Sequence, residues 1–327
     1  MKRKDIINII LFIMVFAFAA YRYSSRTYLS QRSAFVMDTL VDIKIETKHK
    51  ETNDILDNAL KLIEDYENKF SFYKNGNQIW NFNNSVTNSL FIDEDLAKIL
   101  SISKELFQKT NSHYDITIGA LSEIWDFDNE VIPAKEEIEK AIQVTDFEKL
   151  KIQNNYLYKP DGMKINLGSL AKGLIIDKVV EYLKQQNVIS GFVNAGGDMR
   201  IFGRKKPYKI GINHPRSKSN EIIDVINVGN RSVVTSGDYE RYFMKDGKRY
   251  HHIINPLTGY PSQNAISVTI ISETALIADA YSTALFLLEP EQSLKLAEET
   301  DELEAVVYFI KDDKIEKLET KGFKKYH

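Results

Sequence analysis

Val41, Ile43 and Ile45 alternate with Asp42, Lys44 and Glu46, the period-two pattern of a strand with one buried face. The period then changes. Over residues 52–70, Ile55, Ala59, Leu62, Ile63, Tyr66 and Phe70 fall on one stripe of a helix, and a second helix over 93–109 opens with acidic residues, as the helix dipole favours. Residues 74–78 and 82–85 between them have loop chemistry. A short helix is predicted over 133–143, then hairpin-like strands around 151–158 and 163–167. Leu170, Leu174, Val179, Val180 and Leu183 mark the next helix, after which residues 191–271 read mostly as strands, with turns near Pro215, Asn230 and Gly247. Helices resume over 273–288 and 290–300, and a last hairpin turns at Asp312 and Asp313. Mixed blocks without regular βαβ alternation predict an α+β fold.

Residues 1–23 follow a third pattern. Lys2, Arg3 and Lys4 precede an apolar run over 6–20 broken only by Asn8, and Tyr21, Arg22, Tyr23 and Arg26 follow it. Basic residues ahead of the run predict that its first end stays in the cytoplasm and the rest of the chain is exported. The length suits a short membrane span or a signal-peptide core, for which Ala17 and Ala19 offer a small-residue cleavage site. The flanking tyrosines and arginines favour an uncleaved single-pass anchor in the cell membrane. The expected organisation is anchor 1–23, polar tether 24–33 and one extracytoplasmic domain over 34–327.

Composition narrows the chemistry. The 327 residues include no cysteine, which excludes disulfides, thiolate catalysis, cysteine-bound metals and a lipid-anchoring cysteine. A net charge of -3 gives no electrostatic reason to expect nucleic acid.

Five segments carry candidate chemistry. The run 163–167 meets Gly168 and Ser169, where a helix can begin with its free N–H groups available to an anion, and Lys172 follows. Gly196 and Gly197, before Asp198, allow close backbone approach to a ligand. A polyanion fits between two such turns, and so do two ordinary strand–helix connections. Asp279 and Thr283 lie one turn apart in an apolar helix, so the carboxylate needs a partner: an ion pair, a backbone N–H, or a hard cation such as Mg²⁺ completed by substrate phosphates. On a strand, the adjacent His251 and His252 point to opposite faces, so one of them addresses a given site. His113, Tyr114 and Asp115 offer rings for stacking and a carboxylate for a ribose or an amine.

The order of these pieces resembles the ApbE family of Mg²⁺-dependent FAD:protein FMN transferases. The matching residues are Met37 to Thr39, Phe72 to Lys74 with Asn83, Tyr114 to Thr117, Asn166 to Gly173, Asn194 to Asp198, Thr235 to Phe243, His252 to Gly259 and Ala278 to Thr283. The resemblance implies an ApbE-like, T-fold-related arrangement of mixed sheets with packed helices, here after one N-terminal transmembrane helix. It implies FAD as substrate, Mg²⁺ at the pyrophosphate, transfer of FMN to a Thr or Ser hydroxyl of an acceptor protein, and release of AMP. By resemblance, Asp279, Thr283, Ser282 and the Ser169 carbonyl belong to the metal site, and Lys172 sits by the phosphates. Met37, Tyr73, His113, Tyr114, Asp115, Asn166 and Ile254 would line the FAD pocket, with Gly196, Gly197 and Asp198 at the second turn. His252 would assist the acceptor hydroxyl. Asn166, Ser169 and Asn255 depart from the family's usual Asp, Gly and Asp. Acceptors of such enzymes are membrane electron-transfer subunits or secreted flavoproteins. The same residues suit an FAD pyrophosphatase, with water as acceptor, or a non-catalytic surface flavin-binding protein.

Overall fold

The computed structural model describes residues 3–87, 89–204, 206–217 and 221–327; Lys2 of the basic cluster lies outside them. The apolar N-terminus is one helix, α1 (Arg3–Ser24), unburied and long enough to cross a membrane, properties that a span and a signal sequence share. The expected tether is short. From Tyr28 the chain is strand β1 (Tyr28–Val36), paired along its whole length with β2 (Thr39–Thr47). Its polar sequence is no obstacle, because an edge strand draws its ladder from backbone groups and buries its side chains only in part.

Helix α2 (Asn53–Phe70) packs its apolar stripe under the sheet, and the short α3 (Gln78–Asn83) follows between the two expected loops, overlapping the end of one and the start of the other. The Asn77 side chain starts α3 by accepting from the Trp80 N–H at 2.7 Å, and buried Asn83 bonds both the N–H and the carbonyl of Ile165. Next come β3 (Leu90–Phe91), α4 (Glu94–Lys109) capped by Asp93, α5 (Gly119–Ile124), α6 (Lys135–Gln143), and the strands β4 (Lys151–Gln153) and β5 (Tyr156–Tyr158). Residues 163–167 are extended but form only a single parallel bridge, Lys164 with Ile118, because the neighbouring chain turns into α5. Their alternation reflects burial: Met163, Ile165 and Leu167 are all fully buried.

After α7 (Ala171–Gln185) come β6 (Ser190–Ala195), β7 (Asp198–Phe202), β8 (Tyr208–Asn213), β9 (Ile222–Val228), β10 (Ser232–Gly237), β11 (Tyr242–Lys245), β12 (Lys248–His251) and β13 (Ser267–Ser272). The chain closes with α8 (Ala275–Phe286), α9 (Pro290–Glu298), β14 (Leu303–Lys311) and β15 (Lys314–Glu319). Among the described residues the main sheet has eight strands in the order β1-β2-β6-β7-β10-β13-β14-β15, with every neighbouring pair antiparallel. Helices α2, α7 and α8 cover one face; the β8–β9 hairpin covers part of the other. This is the expected class of sheets with packed helices.

Candidate active site

Two tight turns sit side by side at one end of the sheet. Met37 and Asp38 join β1 to β2 with φ of 56° and 55°, a left-handed conformation uncommon for residues with a Cβ. Gly196 and Gly197 join β6 to β7 with φ of 64° and 103°, so they form a hairpin turn and not the start of a helix. A Cβ on Gly196 would lie 2.4 Å from Thr39 Oγ1, so glycine is what lets the turns touch.

Beneath them α7 crosses α8 at Gly173, where a Cβ would meet the Ala275 carbonyl oxygen at 2.3 Å. That approach lets the Gly173 N–H donate to Asp279 Oδ2 at 2.8 Å. One turn further along α7, buried Asp177 accepts from the Ala275 and Leu276 N–H groups, both at 2.9 Å, and pairs with Arg200, capping α8 and tying it to β7. The sequence stripe therefore fixes α7 on the sheet, while Gly173 and Asp177 set where α8 lies on α7.

Turns, crossing and the 252–256 loop enclose a cavity of about 430 Å³. Met37, Tyr73, Tyr114, Asp115, Asn166, Ser169, Lys172, Gly196, Asp198, His252, Ile254, Asp279 and Thr283 all stand on its wall. Three expected site residues do not. His113 is held at Nδ1, 2.8 Å from the Thr110 carbonyl oxygen, and the Gly197 N–H donates to Asn194 Oδ1. Ser282 is fully buried behind the wall, where its hydroxyl donates to the Asp279 carbonyl and lies 2.7 Å from Ser236 Oγ. Ser236, Glu240 and Arg241 also line the cavity without having been singled out. The signal for them was their position within the motif 235–243, which carried no assignment of roles.

The charges in the cavity are coupled. Lys172 Nζ lies 2.6 Å from Asp198 Oδ2, whose other oxygen accepts from the Thr235 N–H. Burial works against the Lys172 charge, but Asp198 and Asp279 outweigh it and hold the ammonium above its ordinary pKa. Burial, then repulsion by Asp198, pushes the Asp279 carboxyl well above the usual range. Its Oδ1 accepts no hydrogen bond among the described residues. Asp115 is raised to about 6 by burial, although it accepts from the Thr117 N–H and hydroxyl and from the Phe147 N–H. Asn166 spans Ser122 and the Gly168 N–H, and Tyr114 Oη sits 2.9 Å from Ser169 Oγ, which ties the 166–169 bend to the cavity wall.

The histidine pair separates as the strand geometry requires. His251 is buried and spent: Nε2 lies 2.6 Å from the Ser262 carbonyl oxygen and Nδ1 accepts from the Ile253 N–H. The His252 ring is open to the cavity and donates a hydrogen bond to the Arg241 backbone carbonyl. The protein walls around it, and then His251, lower its pKa, so at neutral pH it is an uncharged base.

Among the described residues no group of three His, Asp or Glu side chains is set to hold a metal. What the cavity offers is one carboxylate with a free oxygen, the Thr283 hydroxyl and the 169 bend, an all-oxygen donor set incomplete without a ligand's own oxygens. Such a set fits Mg²⁺ and does not fit zinc.

Most of the chain is similar to proteins of one known family. The model of the ApbE family matches residues 37–307. The FAD:protein FMN transferase of Vibrio cholerae is 30% identical over 279 residues, covering 81% of this chain and 82% of that protein. The one from Haemophilus influenzae is 32% identical over 278 residues, 80% of each chain. Among solved structures, the ApbE protein of Thermotoga maritima superposes with a TM-score of 0.81 at 32% identity, covering 91% of this chain and 99% of that one.

Proposed function

The chain belongs to the ApbE family, and from that premise we propose that it is a Mg²⁺-dependent FAD:protein FMN transferase that joins FMN to a Thr or Ser hydroxyl of an acceptor protein through a phosphoester and releases AMP. The observation that carries this reading is the convergence of Lys172, Asp279, Thr283 and an uncharged His252 on one cavity of about 430 Å³. In the reaction the acceptor oxygen attacks the phosphorus of the FMN half, the bond to the bridging oxygen breaks, and AMP leaves.

Asp279, Thr283 and the Ser169 carbonyl would hold Mg²⁺, which when bound neutralises charge on the pyrophosphate. Lys172, kept charged by Asp198, would bind phosphate oxygens. Neutral His252 takes the proton of the acceptor hydroxyl. Met37, Tyr73 and Ile254 offer apolar surface to the flavin, and Asn166 keeps the bend beside the phosphates in shape. In this reading α1 is an uncleaved anchor that holds the domain on the extracytoplasmic side, within reach of membrane electron-transfer subunits or secreted flavoproteins.

Incubation with FAD, Mg²⁺ and a candidate acceptor tests the reaction. The proposal expects an acceptor whose flavin fluorescence survives denaturing electrophoresis, with AMP released in equal amount. Free FMN beside unlabelled acceptor would make water the acceptor and the chain a pyrophosphatase. FAD binding that survives chelation without AMP would leave only a binder.

A further inference from the structure

The outer face of the β1–β2 hairpin is left uncovered, and its composition is unusual for water. Directly opposed residues of the two strands share a face, so Leu29, Phe35 and Leu40 point the same way as Lys44 and Glu46. Phe35 and Leu40 are cross-strand partners, 76% and 55% exposed, and Leu29 is 69% exposed. Exposed apolar side chains grouped on one face mark a contact surface.

Beside Leu29 lies a separate cavity of about 220 Å³ lined by Lys44, Glu46, Arg204 and Tyr208. The Glu46 carboxylate is held in place by the Thr27 and Ser190 hydroxyls, at 2.8 and 2.9 Å. Lys44 and Arg204 have no ion-pair partner among the described residues. The Arg204 guanidinium stacks 4.1 Å from the centre of the Tyr208 ring, and its Nε is buried with no acceptor. The Arg204 charge acts on the Glu46 carboxylate across this cavity, so with Lys44 the site keeps one cationic charge in excess, which can take a phosphate group.

The chain itself says where that phosphate comes from. Only residues 25–27 separate α1 from β1, a reach of about 14 Å from Ser24 to Tyr28. Thr27, bonded to Glu46, ties that link to the cavity wall. With α1 in a bilayer, the Tyr28 end of the hairpin stays within about 14 Å of the end of the span, and exposed Arg22 and Arg26 flank the same junction.

We infer that the outer face of the β1–β2 hairpin rests on an anionic lipid surface, with Lys44 and Arg204 taking a phospholipid phosphate and Leu29, Phe35 and Leu40 reaching the interface. Since Met37 and Asp38 end this hairpin in the wall of the active cavity, the contact presents the cavity beside the membrane. The inference rests on α1 being a span and is independent of the transfer chemistry.

The chain has no cysteine, so a single introduced thiol reports one position. Leu29→Cys, Phe35→Cys and, as control on β14 towards the opposite edge of the sheet, Ile310→Cys would each be made in the full chain. Each would be labelled with a polarity-sensitive fluorophore and reconstituted in phosphatidylcholine vesicles with or without phosphatidylglycerol. The inference expects a blue shift and quenching by nitroxide-bearing lipid at positions 29 and 35 with phosphatidylglycerol present, no change at 310, and loss of the effect in Lys44→Glu/Arg204→Glu with unchanged circular dichroism. Labels that stay in water in both vesicles overturn it. So does reversal of the signal by inorganic phosphate at constant ionic strength, which would make this a free-phosphate site, or protection that appears only with an acceptor protein. Extraction of the chain by alkaline carbonate would overturn the anchor reading and this inference together, leaving the transfer assay unaffected.

Discussion

Asp177 and Asp279 are two carboxylates on the same pair of crossing helices, 3% and 5% exposed, and they do opposite things with their oxygens. Asp177 is fully engaged by Arg200 and two N–H groups at the start of α8. Asp279 has one bond, from Gly173, and a second oxygen facing the cavity. The contrast repeats in the histidines, His251 buried and bonded at both nitrogens and the His252 ring turned to the cavity with one bond, to the Arg241 carbonyl. Burial alone does not mark function; a buried or enclosed polar group with unfilled capacity does. The saturated member of each pair holds the scaffold that aims the open one.

Substitutions sharpen that contrast. Asp279→Ala should lower kcat/KM for Mg²⁺-dependent transfer by about a thousandfold, the scale of losing a principal transition-state partner, without lowering the thermal midpoint, because it removes a carboxylate that Asp198 repels. A variant that releases AMP at the wild-type rate would break the distinction. Asp177→Ala should instead cost about 1–3 kcal/mol of stability by leaving the Ala275 and Leu276 N–H groups without an acceptor and half-buried Arg200 unpaired, read from denaturant unfolding, with Arg200→Met restoring part of it. His252→Ala should slow transfer by about a hundredfold while FAD affinity, measured by titration, holds; a collapse in affinity would move His252 into the binding pocket.

The smallest effect is on pH dependence. Asp279 and Asp115 both have folded-state pKa values raised above the unfolded carboxylate value of about 3.9, Asp115 to about 6. Their contribution to stability is therefore complete below that unfolded value and is lost as pH rises through the folded one. Calorimetry should show the metal-free midpoint falling from about pH 4 to about pH 7, with Mg²⁺ recovering stability at the upper end in the wild type and not in Asp279→Ala.

Much of this was legible in the sequence because it is periodic or compositional. The stripe 55–70, the alternation 41–46 and the late helices appear as expected, and most of the expected site residues meet at one cavity. Contacts distant in sequence left no such mark. Asn83 bonding residue 165 and Asp177 capping α8 each join segments some eighty or more positions apart, and neither has a periodic signature. Strand β1 was hidden by its polar composition, which an edge position permits. Residues 163–167 alternate like a strand yet lack a ladder, since alternation records burial and not pairing. Ser282 sits at the right turn of the right helix, with its hydroxyl directed to Ser236 and to the Asp279 carbonyl.

The free Asp279 oxygen and the Thr283 hydroxyl beside it make the most exact demand, and anomalous diffraction from crystals grown with FAD and Mn²⁺ in place of Mg²⁺ tests it. The account predicts a metal peak within coordinating distance of Asp279 Oδ1 and Thr283 Oγ1, with pyrophosphate oxygens completing its shell beside Lys172. A dinucleotide bound in the cavity with no metal there, and Asp279 still engaged by the Gly173 N–H alone, would contradict it.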